Sequence, residues 1–224
     1  MYLYFYGTDE DILRNIFLLT LIPGIIGVLI VSFFVQDDTL KSKDKKYKFE
    51  KKDFRLFPTL FIYFCFIFFM MGDSFFIIVA KESGYLISFI PLFIIILTLT
   101  QTLTSYYFGV MSDKKGSQNI LRFAYLSGII SIIAIWLGFI WFGFIFLGIF
   151  TVASLNAIRS YISVNAINKA SIYGMFYGGI AIFSSLGALS FGYIWQNFGQ
   201  STALMFSLVG MMMIFIILLK FKGE

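Results

Sequence analysis

Long, unbroken apolar runs constrain this chain more than any other feature of its sequence. Seven of them, Ile12–Val35, Phe57–Ala80, Tyr85–Phe108, Ile120–Leu137, Phe139–Ile158, Ile172–Trp195 and Ala203–Leu219, approach or exceed the ~20 apolar residues that a helix needs to cross a bilayer. In hydrocarbon every backbone N–H and C=O must be satisfied within the protein, which admits helices and closed barrels only. Barrel strands are about ten residues long and alternate apolar with polar positions. These runs are longer and continuous. The expected fold is therefore all-α: a polytopic membrane protein of seven transmembrane helices, with the lipid bilayer as its principal partner.

Composition narrows the function. Charged residues make up 13% of the 224, where soluble domains carry about a quarter. There is no His, and the single Cys65 lies inside an apolar run, where it reads as a buried filler. A disulfide framework, a Cys/His zinc site and a Ser-His or Cys-His catalytic group are excluded within the chain. No run holds paired acids or a Ser/Lys dyad, so no catalytic residue, cofactor or metal is expected. The net charge of +5 would suggest nucleic acid if it were a patch. It is instead dispersed over short connectors, which topology explains, and no nucleic-acid partner is expected.

The connectors also set the orientation. Lys41, Lys43, Lys45, Lys46, Lys48, Lys51, Lys52 and Arg55 fall in or beside one long polar stretch, 36–54. Lys114, Lys115 and Arg122 follow the third run, Arg159 and Lys169 bracket a later connector, and Lys220 and Lys222 follow the last run. The other side has only Arg14 and Lys81. Positive loops stay cytoplasmic, so the C-terminus is expected inside and the N-terminus, with Asp9, Glu10 and Asp11, outside. The expected location is a membrane of the prokaryotic inner (cytoplasmic) type. The start lacks the basic residues of a cleavable signal peptide. The organisation reads as a lone helix (1–35), a basic cytoplasmic linker (36–54) and a six-helix unit (55–224).

Between the third and fourth runs stands "FGVMSDKKG", Phe108 to Gly116. It reads as a tight inside loop. Gly109 would let a neighbouring helix approach closely. Gly116 would take a positive φ. Asp113 would cap the next helix at its positive end, and Lys114 would hold the loop at the anionic surface. A plain Gly-rich basic loop would look much the same. The spacing Gly109-x-x-x-Asp113-Lys114-x-Gly116 resembles the loop signature of the major facilitator superfamily of transporters. The stretch "LRNIFLLTLIPGIIGVLIVSFFV" resembles that family's sixth helix, 36–54 its central cytoplasmic loop, and "INKASIYGMFYGGIAIFSSLGALSFGYIWQNFG" its eleventh helix. The resemblance covers nearly the whole chain but only helices 6 to 12 of the family's plan, without the first five. The signature's trailing basic pair is replaced by Gln118 and Asn119. The resemblance implies two three-helix repeats of inverted topology and a conformational-switch loop at Gly109, Asp113, Lys114 and Gly116. It also implies that Asp113 touches the other half of the bundle.

Polar residues inside the runs are the candidate solute contacts. Asp73 is the only acid deep in a run, and intramembrane acids mark ion or proton pathways. It either binds a cation or proton, or sits near the outer interface, capped or paired with Lys81. Thr98, Gln101, Thr102 and Ser105 are spaced to share one helical face, which lipid cannot satisfy. They are candidate cavity residues, or interhelical hydrogen-bonding groups. Gly174, Gly178, Ser184, Ser185, Gly187, Ala188 and Gly192 read first as close-packing positions. Asn156 and Arg159 are candidates for a cytoplasmic gate. The expected function is alternating-access transport of a small solute by a fragment or half of a secondary transporter. Its partner would be a companion N-terminal half, or a second copy by self-association. The alternative is a non-transporting membrane scaffold or assembly protein of the same ancestry.

Overall fold

A computed structural model describes residues 53–220, together with Leu21, Ile22, Ile25, Ile26 and Leu29, which are helical and exposed. The rest of the expected first span and the linker up to residue 52 lie outside the described residues. The chain divides into two units, Met1–Lys46 and Tyr47–Glu224. The described residues of the second unit are helices joined by short turns, with no strand among them. They include six helical segments long and apolar enough to cross a membrane, the make-up of an integral membrane protein.

The first of these segments departs from the sequence reading. A 3-10 turn at Asp53–Leu56 leads into α1 (Phe57–Phe69), with Pro58 in the first turn, where its missing N–H costs nothing. The helix then stops. Met70, Met71 and Gly72 form an extended break, and a second helix, α2, runs over Asp73–Glu82. The run Phe57–Ala80 is therefore two half-helices and not one. The cause lies in Gly72-Asp73-Ser74: glycine is a poor helix interior, and Asp and Ser favour helix starts. Met70 N–H bonds back to the Phe66 carbonyl at 2.9 Å, and Phe75 N–H bonds to the Gly72 carbonyl at 2.9 Å. Ser207 Oγ donates to the freed carbonyl of Phe69. These bonds satisfy part of the backbone freed at the break, as burial in an apolar medium demands.

After a turn at Ser83–Gly84 and a 3-10 turn at Ile87–Phe89 comes α3 (Ile90–Lys115). This helix runs straight through Ser112-Asp113-Lys114-Lys115, so the expected loop is the last helical turn. Only Gly116, at φ +85°, stands outside it before α4 (Ser117–Trp136) begins. Asp113 therefore cannot cap α4; its carboxylate Oδ1 accepts from Ser160 Oγ at 2.9 Å. The apolar pattern stops at Phe108, but the helix continues beyond the apolar zone. A turn at Leu137–Phe139 leads into α5 (Ile140–Asn165). Asn168 Oδ1 accepts from Ser171 N–H at the start of α6 (Lys169–Phe198). Gly199, at φ +87°, then separates α6 from α7 (Gln200–Lys220).

The packing has a pairing that chain order does not suggest. α1 packs against α6 and α7, and α5 packs against α3 and α4. α3 packs on α4, α6 on α7, and α4 meets α7. Exchanging the set α1/α2, α3, α4 for the set α5, α6, α7 maps this pattern onto itself. The sequence carries a trace of the same exchange. Phe108-Gly109 and then Gly116 end α3, and Phe191-Gly192 and then Gly199 end α6 at the same spacing. Both phenylalanines are buried and both closing glycines have positive φ.

The interior is aromatic. Phe66 stacks on Tyr125 with ring centroids 3.8 Å apart and lies 5.4 Å from Phe150; Phe93 stacks on Phe144 at 5.0 Å. Between membrane helices no hydrophobic effect remains, so fit and dispersion decide association. Glycine supplies the fit at Gly187 of α6, which lies directly on the Phe68 backbone of α1. α3 and α6 are the least buried of the spanning helices, while α4 and α5 are the most buried.

Candidate functional site

The break between α1 and α2 opens onto a cavity of about 320 Å³. Tyr63 and Ile67 of α1, the Met70–Gly72 break, Asp73, Ser74 and Phe75 of α2 form one side. α5 contributes Phe150, Thr151 and Ser154, and α6 contributes Ser184 and Ala188. The break starts α2 at Asp73, so the carboxylate stands in the first turn, at the positive end of the helix dipole. Asp73 is exposed at the cavity mouth. No ion pair joins it to Lys81 or to any other cation among the described residues, and Lys81 lies two turns further along α2.

The hydroxyls behind it are fixed. Tyr63 is fully buried, and its hydroxyl shares a hydrogen bond with Ser154 Oγ at 3.4 Å. Ser154 Oγ also donates to the Thr151 carbonyl at 3.3 Å, and Thr151 Oγ1 donates to the Leu147 carbonyl at 2.9 Å. Ser184 Oγ donates to the Ala181 carbonyl at 3.2 Å. A hydroxyl that has given its proton to its own helix still offers oxygen lone pairs. The cavity is therefore lined by one carboxylate, several acceptor oxygens, aromatic residues and two methionines, with no lysine or arginine among the described residues that line it.

The other candidate residues fall elsewhere. Thr98, Thr102 and Ser105 are exposed on α3, and Gln101 is half-buried. None of the four lines this cavity. Thr98 Oγ1 and Thr102 Oγ1 each donate to carbonyls one turn back on α3, the ordinary way an unpartnered threonine satisfies itself in a helix. The Ser105 carbonyl accepts from Asn156 Nδ2 at 3.1 Å, which ties α3 to α5. Arg159 ties α5 to α6. Its Nε donates to Tyr177 Oη at 2.9 Å, its guanidinium lies 5.8 Å from that ring's centroid, and Tyr173 Oη donates to its carbonyl at 3.0 Å. Asp113 and Ser117 both meet Ser160 of α5.

At Gly109 a Cβ would meet nothing closer than Asn156 Nδ2 at 4.0 Å, so the described packing does not require glycine at that position. Gly174 and Gly178 of α6 likewise have open space where a Cβ would stand.

Tyr63, Thr151 and Ser154 are cavity residues that the sequence reading passed over. The one available signal was the pair Thr151 and Ser154, one helical turn apart in an otherwise apolar run. Tyr63, in an aromatic-rich run, carried none. No family model, no curated protein and no solved structure matches this chain. The chemical reading of the site rests on its own geometry.

Proposed function

We propose that the chain acts as one half of a secondary transporter of the major facilitator type, moving a small solute by alternating access. The observation that carries the reading is the break between α1 and α2, which sets a carboxylate, Asp73, without an ion-pair partner among the described residues on the wall of a cavity among α1, α2, α5 and α6. Discontinuous helices whose ends face a cavity are the common construction of solute sites in transporters. Three further features support it. The helix packing is preserved when one three-helix set is exchanged for the other. The Phe-Gly…Gly ending recurs in α3 and α6. The polar stripe of α3, Gly109, Gly174 and Gly178 all lie open, on helices that are poorly buried. Thr98 and Thr102 satisfy themselves on their own helix, but a Gln101 side chain left without a partner in hydrocarbon costs roughly 2–7 kcal/mol. A companion N-terminal half, or a second copy, supplies the missing wall against that face.

In this reading the lone helix before the linker is a seventh span, the linker and C-terminus face the cytoplasm of a prokaryotic cell, and Asn156 and Arg159 hold the inner ends of α3, α5 and α6 together. The test is gradient-driven uptake of a panel of small solutes by vesicles in which the chain is joined by its companion helices. Asp73→Asn should abolish or strongly reduce uptake while insertion and yield stay unchanged. Unaltered uptake by that variant would show that the solute path does not pass the break.

A further inference from the structure

We infer that the cavity at the helix break is a site for a small organic monocation with an aromatic or branched apolar body. This rests on the transport reading only in treating the cavity as a ligand site. The charges decide the sign. The wall holds one carboxylate, Asp73, and no lysine or arginine. The N-terminus of α2 offsets about half of that negative charge. While Asp73 is ionised a net negative charge remains, without a protein counter-ion among the described residues. An anion would be repelled, and a neutral solute would leave the carboxylate uncompensated.

The rest of the wall decides the body. The aromatic residues Tyr63, Phe75 and Phe150 and the methionines Met70 and Met71 line the space. Aromatic faces attract quaternary ammonium groups, and methionine adapts to irregular apolar shapes. Strongly hydrated inorganic cations need several hard oxygen ligands converging on one point, whereas here the one carboxylate of α2 and the hydroxyl oxygens of α5 and α6 are spread among apolar side chains. The volume of about 320 Å³ is at the small end of ligand pockets, which span roughly 300–1,000 Å³. The ligand is therefore compact.

The probe is radiolabelled benzyltrimethylammonium, measured by equilibrium dialysis against the full chain in lipid nanodiscs, with empty nanodiscs as background. The competitors are benzyl alcohol, which is neutral, and phenylacetate, which is anionic. Saturable binding that neither competitor displaces at equal concentration is expected. Asp73→Asn should weaken binding at least tenfold and Asp73→Glu should retain it, with helicity and gel-filtration profile checked for both. Absence of saturable binding, displacement by phenylacetate or benzyl alcohol, or full binding by Asp73→Asn would overturn the assignment. If Asp73→Asn does not fold, the competition on the native chain decides alone. Because no flux is measured, the two claims separate. Cation binding without transport would sink the transport reading and keep the ligand class. Transport without cation binding would do the reverse.

Discussion

Replacing Gly187 by alanine should destabilise the bundle, and replacing Gly178, on the same helix, should not. At Gly187 an added Cβ would strike the Phe68 carbonyl oxygen and would stand 2.9 Å from its carbon and 3.1 Å from the Phe68 Cα. These are backbone atoms next to the break between α1 and α2, so no rotamer change relieves the clash. α6 must move away from α1, and gaps of 0.5–1 Å forfeit about a quarter to a half of each contact along the seam. Overpacking of this kind costs about 1–3 kcal/mol. Alanine returns about 0.5–1 kcal/mol as a better helix former than glycine. The expected net loss for Gly187→Ala is therefore about 0–2.5 kcal/mol. At Gly178 nothing lies within 4 Å of the Cβ position, so only the helix preference acts, and the variant should be as stable as the parent or up to ~1 kcal/mol more stable. The assay is loss of helical circular dichroism as detergent micelles are titrated with SDS. Equal stability of the two variants, or a more stable Gly187→Ala, would refute the close approach of α6 to α1.

Other substitutions probe the same framework. Ser207→Ala removes the donor to the Phe69 carbonyl and should cost about 1–3 kcal/mol in the same titration, because it leaves a buried carbonyl unpaired. Asp53, fully buried, accepts from Ile167 N–H through Oδ1 at 2.9 Å, while Oδ2 has no partner among the described residues. Asp53→Ala should therefore free the α5–α6 connector and speed its proteolysis, whereas Asp53→Asn, which keeps one acceptor oxygen, should do so far less. Gly116→Ala forces a side chain onto φ +85° and should cost about 1–2 kcal/mol, while Gly109→Ala should be nearly neutral within the monomer.

How far the sequence carried the fold can be traced residue by residue. Six of the apolar runs located the six spanning segments, because a run long enough to cross a bilayer has one cheap backbone solution. Hydropathy passed over the break at Met70–Gly72, since methionine is as apolar in an extended segment as in a helix. The local cue, Gly72-Asp73-Ser74, is short and was outweighed by its surroundings. The end of α3 was misread for the opposite reason: Asp113, Lys114 and Lys115 mark the end of the apolar zone, and the helix outlasts it. Spacing put Thr98, Gln101, Thr102 and Ser105 on one face of α3, but periodicity does not say what a face meets. Asp73 was picked out by its charge alone. Its companions Tyr63 and Ser154 come from helices far apart in the chain, and only the packing of the bundle assembles them.

The proposal that these helices form one wall of a solute path is tested most directly by comparing flux with and without the second wall. The measurement is saturable solute uptake in vesicles holding this chain alone and in vesicles where companion helices cover α3 and α6, with the mass of each assembly determined in mild detergent. Uptake should be absent for the strict monomer, present for the covered assembly and lost again with Asp73→Asn. Saturable uptake by a monomeric chain, or none by any assembly that covers the open face, would contradict the account.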